Sequence, residues 1–318
     1  MNFSIDVLKN DEKALYALRQ LYQDHGYTRY KVSKFEEYDL YAGNKSFLIS
    51  ENILTFTDTN GKLMALKPDV TLSIVKNIRN NDANAHKLYY NETVYRTSAG
   101  EDGFREIMQT GLEYIGSIDD TAIAEVLMLA QKSLALISDD YILDVSHMGF
   151  LTGLLESAGI EAEYATELLG YVGTKNLSAI RAYCASHGVA KEDEDAICEI
   201  TALYEPLADA LPRVEKLVRG EKMRLSYEQL CTVLKQMQAK GAEGRLYLDF
   251  SIVNDMSYYN GIIFQGFING IPEGILSGGR YDRLLARMGK RGGAIGFAVY
   301  LNLLERLEIA KEADKEDA

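Results

Sequence analysis

The chain is poor in the residues that redox, metal and nucleic-acid chemistry require. Its three cysteines, Cys184, Cys198 and Cys231, are odd in number and form no Cys-x-x-Cys pair. They read as reduced packing residues and not as a disulfide frame or a metal site. The four histidines (His25, His86, His147, His187) are scattered, with neither His-Glu-x-x-His nor His-x-His spacing, which argues against a bound metal. Positive charge is scarce as well: 34 Lys and Arg against 47 Asp and Glu leave a net charge of −13. Nucleic-acid affinity rests largely on neutralising phosphates with cations, so the bulk charge argues against a nucleic-acid binder. No run of 18 apolar residues occurs, which excludes a helical membrane span of the usual kind. The first 27 residues carry acids early and turn amphipathic at helical spacing, unlike a signal or transit peptide, so a cytoplasmic location is expected.

What remains is ordinary for a globular protein: 47% hydrophobic and 25% charged residues over 318 positions. That length suits one large domain or a core with a sizeable insertion. Residues 11–25 place Leu15, Leu18 and Tyr22 on one helical face, and Gly26 follows as a stop signal. Short alternating pieces then predict strands in "YTRYKVSKFEEYDLY", in "NILTFTDTNGKLMALKP" with a hairpin at Asn60-Gly61, and in "HKLYYNETVYRTS". Thr71 to Arg79 reads as a helix opening after Pro68-Asp69. "REIMQTGLEYIG" alternates as a strand, 119–137 form an acid-started amphipathic helix, and "YILDVSH" is a further strand. From 148 to 240 the spacing is helical nearly throughout. Strand character returns at "RLYLDFSIV", "YYNGIIFQGF" and "GGAIGFAVY", with the tyrosine pair in a hairpin around Asn260-Gly261. The pattern predicts an antiparallel α+β core interrupted by helices.

Several features have plain readings. Asp69 and Thr71 after a proline suit a helix N-terminus, and Tyr258-Tyr259 suits strand packing with one ring in and one out. Ser73-x-x-Lys76 lacks the companion motifs of a catalytic serine-lysine pair. "GKRGG" (289–293) reads as a mobile loop without a phosphate-binding fingerprint. Glu36-Glu37, the acidic run 192–195 and the acids after Arg306 read as solvated faces. The Leu/Ala stripes of 148–240 read as core and partner-facing packing.

Five segments in order carry a resemblance: "MALKPDVTLSIVKNI" (64–78), "LYYNETVYRTSAGEDGFREIMQTGLEYIG" (88–116), "SYYNGIIF" (257–264), "GGRYDRLL" (278–285) and "AIGFAV" (294–299). Together they resemble the class II aminoacyl-tRNA synthetases, specifically the histidyl enzyme. The resemblance implies an antiparallel sheet flanked by helices, with the amino acid lying on the sheet. Residues 1–147 and 241–318 would form this core, 148–240 a helical insertion, and the anticodon-binding domain would be absent. Carried over by position, "KPDVT" matches an Arg-Pro-Glu-Gly-Thr stretch, so Asp69 and Thr71 sit where the family grips the ammonium group. Arg96 matches the motif 2 arginine, Gln109 and Glu113 the pair facing the amino acid, and Tyr258, Tyr259 and Tyr281 the aromatics lining the imidazole. A zwitterionic histidine needs a carboxylate, cationic or amide donors and a hydrogen-bonded ring slot, and these residue types supply each.

The catalytic set departs from the family. Asn254 stands where the family has an arginine, Ser98 replaces the glutamate that addresses adenine, and Leu303 occupies the motif 3 arginine position, with Arg306 about one helical turn further on. Adenylyl chemistry depends on cationic stabilisation of developing charge. The resemblance is therefore closest to the regulatory subunits of short-form ATP phosphoribosyltransferase. It implies a non-catalytic subunit that a catalytic chain needs for activity and for feedback by L-histidine in the first step of histidine biosynthesis. No cofactor, no metal and no tRNA are expected; L-histidine is the expected allosteric ligand, with 254–262 and 289–293 closing over it. Self-association as a dimer is expected, although Ser33 replaces the usual motif 1 proline. The alternative is a truncated synthetase-like enzyme that activates an amino acid with ATP.

Overall fold

Two long alternating segments set the centre of the molecule. In a computed structural model, which describes residues 7–48, 52–78, 85–97, 103–242, 244–253 and 258–304, β5 (His86–Thr97) and β6 (Phe104–Gly116) pair antiparallel from His86 opposite Ile115 to Thr97 opposite Phe104. They belong to a nine-stranded sheet with β1 (Thr28–Arg29), β7 (Tyr141–His147), β8 (Glu205–Pro206), β9 (Leu246–Leu248), β10 (Ile262–Ile268), β11 (Ile271–Arg280) and β12 (Gly293–Tyr300). The order across the sheet is β1-β5-β6-β12-β11-β10-β7-β9-β8. The pairs β1–β5 and β7–β9 are parallel and the others antiparallel. A smaller sheet holds β2 (Phe35–Glu37), β4 (Leu63–Leu66) and β3 (Thr55–Thr57), the last two joined by the expected reversal at Asn60-Gly61.

Helices cover both faces. On one lie α1 (Asn10–Asp24), α4 (Asp120–Ile137), α5 (Met148–Ser157) and α10 (Gly220–Ala239). Leu18 and Tyr22 of α1 are fully buried, as the helical spacing predicts, and Gly26 takes the left-handed conformation that ends the helix. Asp119 caps α4 by accepting the Ala122 N–H at 2.8 Å. Between β7 and β9 run α5, α6 (Ala162–Gly173), α7 (Leu177–Ser186), α8 (Lys191–Ala202), α9 (Leu207–Lys216) and α10. Leu168, Ile180, Ile197 and Val214 of these helices share one buried cluster with Leu143 and Val145 of the sheet. Cys184 and Cys198 are buried in it, and burial pushes the Cys184 thiol up to about 11. No helix among the described residues is long and apolar enough to cross a membrane.

On the opposite face the small sheet, α2 (Tyr38–Ala42), α3 (Thr71–Asn77) and α11 (Asp282–Arg287) form a second buried cluster over β5, β6 and β12. This cluster roofs the candidate site.

Three expectations need correction, and one strand carries no signal in the sequence. The segment 38–42 is helical and not extended, because Tyr38 and Tyr41, three apart, both turn toward this second cluster. Among the described residues no hairpin surrounds Asn260-Gly261: β7 lies between β9 and β10, and the Asn260 amide is instead bonded to Asp282 in both directions. The reversal occurs at Asn269-Gly270, where Gly270 has φ +89° and joins β10 to β11. The strand β11 has no strand-like spacing in "IPEGILSGGR", which carries a proline and three glycines. Finally, the acidic run 192–195 is not wholly solvated. Glu194 is buried and takes Lys191 at 2.6 Å and Arg181 at 3.1 Å, Asp193 takes Arg219, and outside this run Glu36 pairs with Lys76 at 2.8 Å.

Candidate functional site

Side chains four residues apart on a strand share a face, and Gln109 and Glu113 of β6 duly point the same way. They open into a cavity of about 440 Å³, within the usual span of small-molecule sites. Asp69, Thr71, Arg96, Gln109, Glu113, Tyr258, Tyr259 and Tyr281 all line it. Those residues come from four places: the turn before α3 with its first residue, the end of β5, the middle of β6, and the segments flanking β10 and β11.

The turn 67–69 is fixed by β5. Lys67, only 1% exposed, pairs with Glu92 at 2.5 Å, and the Arg96 Nε donates to the Pro68 carbonyl at 2.6 Å. Asp69 then serves twice. One oxygen accepts the Leu72 N–H at 2.7 Å, capping α3, and the other lies 4.0 Å from the Arg96 guanidinium. The helix-cap reading and the site reading both describe this residue. Burial pushes the Asp69 carboxyl above its ordinary range, with Arg96 opposing.

Glu113 is the centre of the site. The Thr71 hydroxyl donates to one of its oxygens at 2.8 Å, and the Tyr281 hydroxyl donates to the other. Room for the carboxylate exists because residue 296 is glycine: a Cβ there would overlap the Glu113 carboxylate and the Leu112 carbonyl. Around it, Tyr258 packs edge-on to Tyr259 at 4.5 Å and tilted against Tyr281 at 5.8 Å. The Tyr259 ring lies on Gly279, whose absent Cβ would come within 2.6 Å of it. Gln109 is 2% exposed, and its Oε1 has no hydrogen-bond partner. A buried acceptor without a partner costs about 1–3 kcal/mol, so this oxygen is set to accept from a ligand N–H.

Burial raises the Glu113 carboxyl to about 8, the two hydroxyl donors opposing and Asp69 adding. The sign for stability follows. A carboxyl that stays protonated in the folded state above its unfolded pKa stabilises the fold at low pH, and this contribution fades as pH rises toward 8. The ligand-free protein should therefore lose stability between about pH 5 and 8. Glu113 supplies a slope of at most about 1.4 kcal/mol per pH unit, on top of a like contribution from Asp144, which burial and Asp249 raise to about 7. Urea unfolding of Glu113→Gln across this range should show a flatter profile than the parent; an unchanged profile would place the proton elsewhere.

Periodicity could have found more of the lining. Tyr90 lies on β5 at even spacing from Arg96, and Gln265, Ser277, Ala298 and Tyr300 share the same sheet face through consecutive register pairs. Phe47 and Leu48 come from a turn with no such signal. The "GKRGG" segment contributes nothing to the lining. Leu303 sits in a 3-10 turn, half-buried against the main core. Asn254, Ser98 and Arg306 lie outside the described residues. Among the described residues no cluster of three His, Cys, Asp or Glu could hold a metal.

The set offers acceptors, one guanidinium and aromatic hydroxyls to a small polar ligand; the comparisons with known proteins bear on the family. The histidyl-tRNA synthetase family model matches residues 6–304. An ATP phosphoribosyltransferase regulatory subunit from Lactococcus lactis subsp. cremoris is 30% identical over 292 residues, which span 90% of this chain and 88% of that protein. Among solved structures, an ATP phosphoribosyltransferase regulatory subunit/histidyl-tRNA synthetase from Bacillus halodurans superposes with a TM-score of 0.85 at 24% identity, covering 96% of this chain and 81% of the other. A chain of the ATP phosphoribosyl transferase (HisG:HisZ) complex from Thermotoga maritima gives 0.70 at 18%, covering 92% and 97%. These two establish the class II synthetase-like α+β fold expected from the five segments. With a near full-length family match and a relative at 30% identity, the chain belongs to the histidyl-tRNA synthetase family, among its ATP phosphoribosyltransferase regulatory subunits.

Proposed function

We propose that this cavity binds free L-histidine and that the chain is a non-catalytic regulatory subunit of short-form ATP phosphoribosyltransferase. In this reading it supports the catalytic chain's activity and conveys histidine feedback to the first step of histidine biosynthesis. The observation that carries it is the pairing of a buried, doubly hydroxyl-held Glu113 with Asp69, Arg96 and the unpartnered Gln109 amide in one cavity. Glu113 accepts a ring N–H, Asp69 and the Gln109 Oε1 accept from the ammonium group, and the Arg96 guanidinium holds the carboxylate. The tyrosines cover the ring. The relatives named above support the role by their names, and the Thermotoga complex supports a catalytic partner.

Regulation then requires that histidine bind one arrangement of the hetero-oligomer better than another. Coupling of this kind is worth about 1–3 kcal/mol. The apolar Leu303 packed against the core, at a position where the synthetase resemblance calls for an arginine, supports the non-catalytic reading. A dimer, a cytoplasmic location, an inserted helical unit at 148–240 and no engagement of tRNA belong to the same proposal.

Titration calorimetry of the purified chain with L-histidine tests the pocket; saturable heat is expected, and none at millimolar ligand removes it. Assay of the co-purified complex with and without histidine tests the regulatory role. ATP–pyrophosphate exchange by the chain alone would instead favour an amino-acid-activating enzyme.

A further inference from the structure

Tyr300 ends β12 directly opposite Gln109 across the β6–β12 ladder, so the two side chains share the cavity face with Cα atoms about 5 Å apart. Tyr90 and Tyr259 line the same cavity, where burial first and the Tyr300 phenol among other groups raise them. The backbone that carries it is pinned: Leu301 and Leu304 of the following 3-10 turn are buried in the main core. Glu113 stands four residues from Gln109 along β6, a Cα separation of about 13 Å. The cavity is thus polar in a directed way, with the hydroxyl-held carboxylate at one end and Gln109 beside Tyr300 at the other.

From this arrangement we infer that Tyr300 is a specificity gate that restricts the cavity to the free α-amino acid. The inference rests on the histidine reading above. A ligand whose ring meets Glu113 turns its amino-acid end the other way, the ammonium group to Gln109 Oε1 and the carboxylate to Arg96, and so toward Tyr300. The carboxylate itself fits there. A group attached beyond it, as in an N-substituted amide, an ester or an acyl mixed anhydride, must enter space that the Tyr300 ring occupies. The ring is half-buried on the cavity face, and the backbone that carries it is fixed, so it does not simply step aside into solvent. For a feedback sensor the consequence is direct: the pool that reports is the free end product, and its activated or peptide-linked forms go unread.

The test compares affinities for L-histidine, histidinamide and histidine β-naphthylamide by calorimetry. Histidinamide has the shape of histidine without the carboxylate charge, so the ratio of naphthylamide to amide dissociation constants isolates size. The parent chain should discriminate by at least tenfold. Tyr300→Ala should reduce that ratio at least tenfold, and Tyr300→Phe, which keeps the ring, should preserve it. Tyr300→Val, suited to a strand position, serves the same purpose if the alanine variant folds poorly. An unchanged ratio in Tyr300→Ala or Tyr300→Val, with histidine still bound, overturns the gate and leaves the histidine site standing. Failure of the parent chain to bind histidine at all overturns the functional reading and the gate with it.

Discussion

Replacing Glu113 by alanine is expected to weaken L-histidine binding by at least 100-fold and to abolish feedback inhibition, while the chain still assembles with its catalytic partner. The argument is one of buried hydrogen bonding. Glu113 is 2% exposed, and its two oxygens hold the hydroxyls of Thr71 and Tyr281. Removing the carboxylate leaves those hydroxyls and the ligand's ring N–H without an acceptor. A hydrogen bond to an ionised buried acceptor is worth about 1.5–3 kcal/mol, more where the ligand's donor is then left buried without a partner, and about 3 kcal/mol is already 100-fold. Assembly should survive because the cavity lies beneath the small sheet and α3, with no outward face of Glu113 to offer a partner. Calorimetry with histidine and size-exclusion of the complex give the two readouts. Feedback retained by Glu113→Ala would show that histidine acts elsewhere; loss of assembly would make the residue structural and not sensory.

The same residue sets a pH dependence for binding. Burial holds the free carboxyl up to about 8, and a ring N–H donating to it favours the ionised form. Below pH 8 histidine capture should then release a proton from Glu113, so the observed binding enthalpy should vary with the ionisation enthalpy of the buffer. That variation should vanish in Glu113→Gln if binding persists there.

How much of this was legible in the chain can be read from particular residues. Gln109 and Glu113 were legible because strand periodicity is local: a count of four on "QTGLE" puts both on one face whatever the rest of the protein does. The buried stripe of α1 and the capping Asp119 of α4 were legible for the same reason. The Tyr258-Tyr259 pair was assigned to the site by resemblance and to a hairpin by pattern, and only its lining of the cavity agrees with the structure. The Asn-Gly dipeptides at 260–261 and 269–270 lie nine residues apart, and the turn chemistry is alike in both. What separates them is the insertion of β7 between β9 and β10, a pairing across more than 100 residues that no local window contains. Lys67 and Glu92 were missed for a related reason. A charged residue beside Pro68 looks solvated in sequence, and only the packing of the turn onto β5 buries it. Tyr300 was also missed, although even spacing from Gly296 along β12 would have placed it on the cavity face.

The floor beneath Glu113 gives the second large effect. Gly296→Ala is expected to destabilise the chain by about 3 kcal/mol or more and to eliminate histidine binding, since overpacking a close-packed site costs about 1–3 kcal/mol even where side chains can yield. Here little can yield. The new methyl group would overlap the Glu113 carboxylate and also the Leu112 carbonyl, which is backbone of the adjacent strand β6. A double-mutant cycle separates the two obstacles. Glu113→Ala removes the carboxylate and leaves the carbonyl, so combining it with Gly296→Ala should recover about 1 kcal/mol or more relative to the sum of the single losses. Urea unfolding of the four proteins measures that coupling. Additive losses would mean that the β6 backbone alone forbids a side chain at 296, and that the glycine serves the sheet and not the carboxylate. A clear recovery would mean that the glycine is kept for the space a buried acid needs in order to face its ligand.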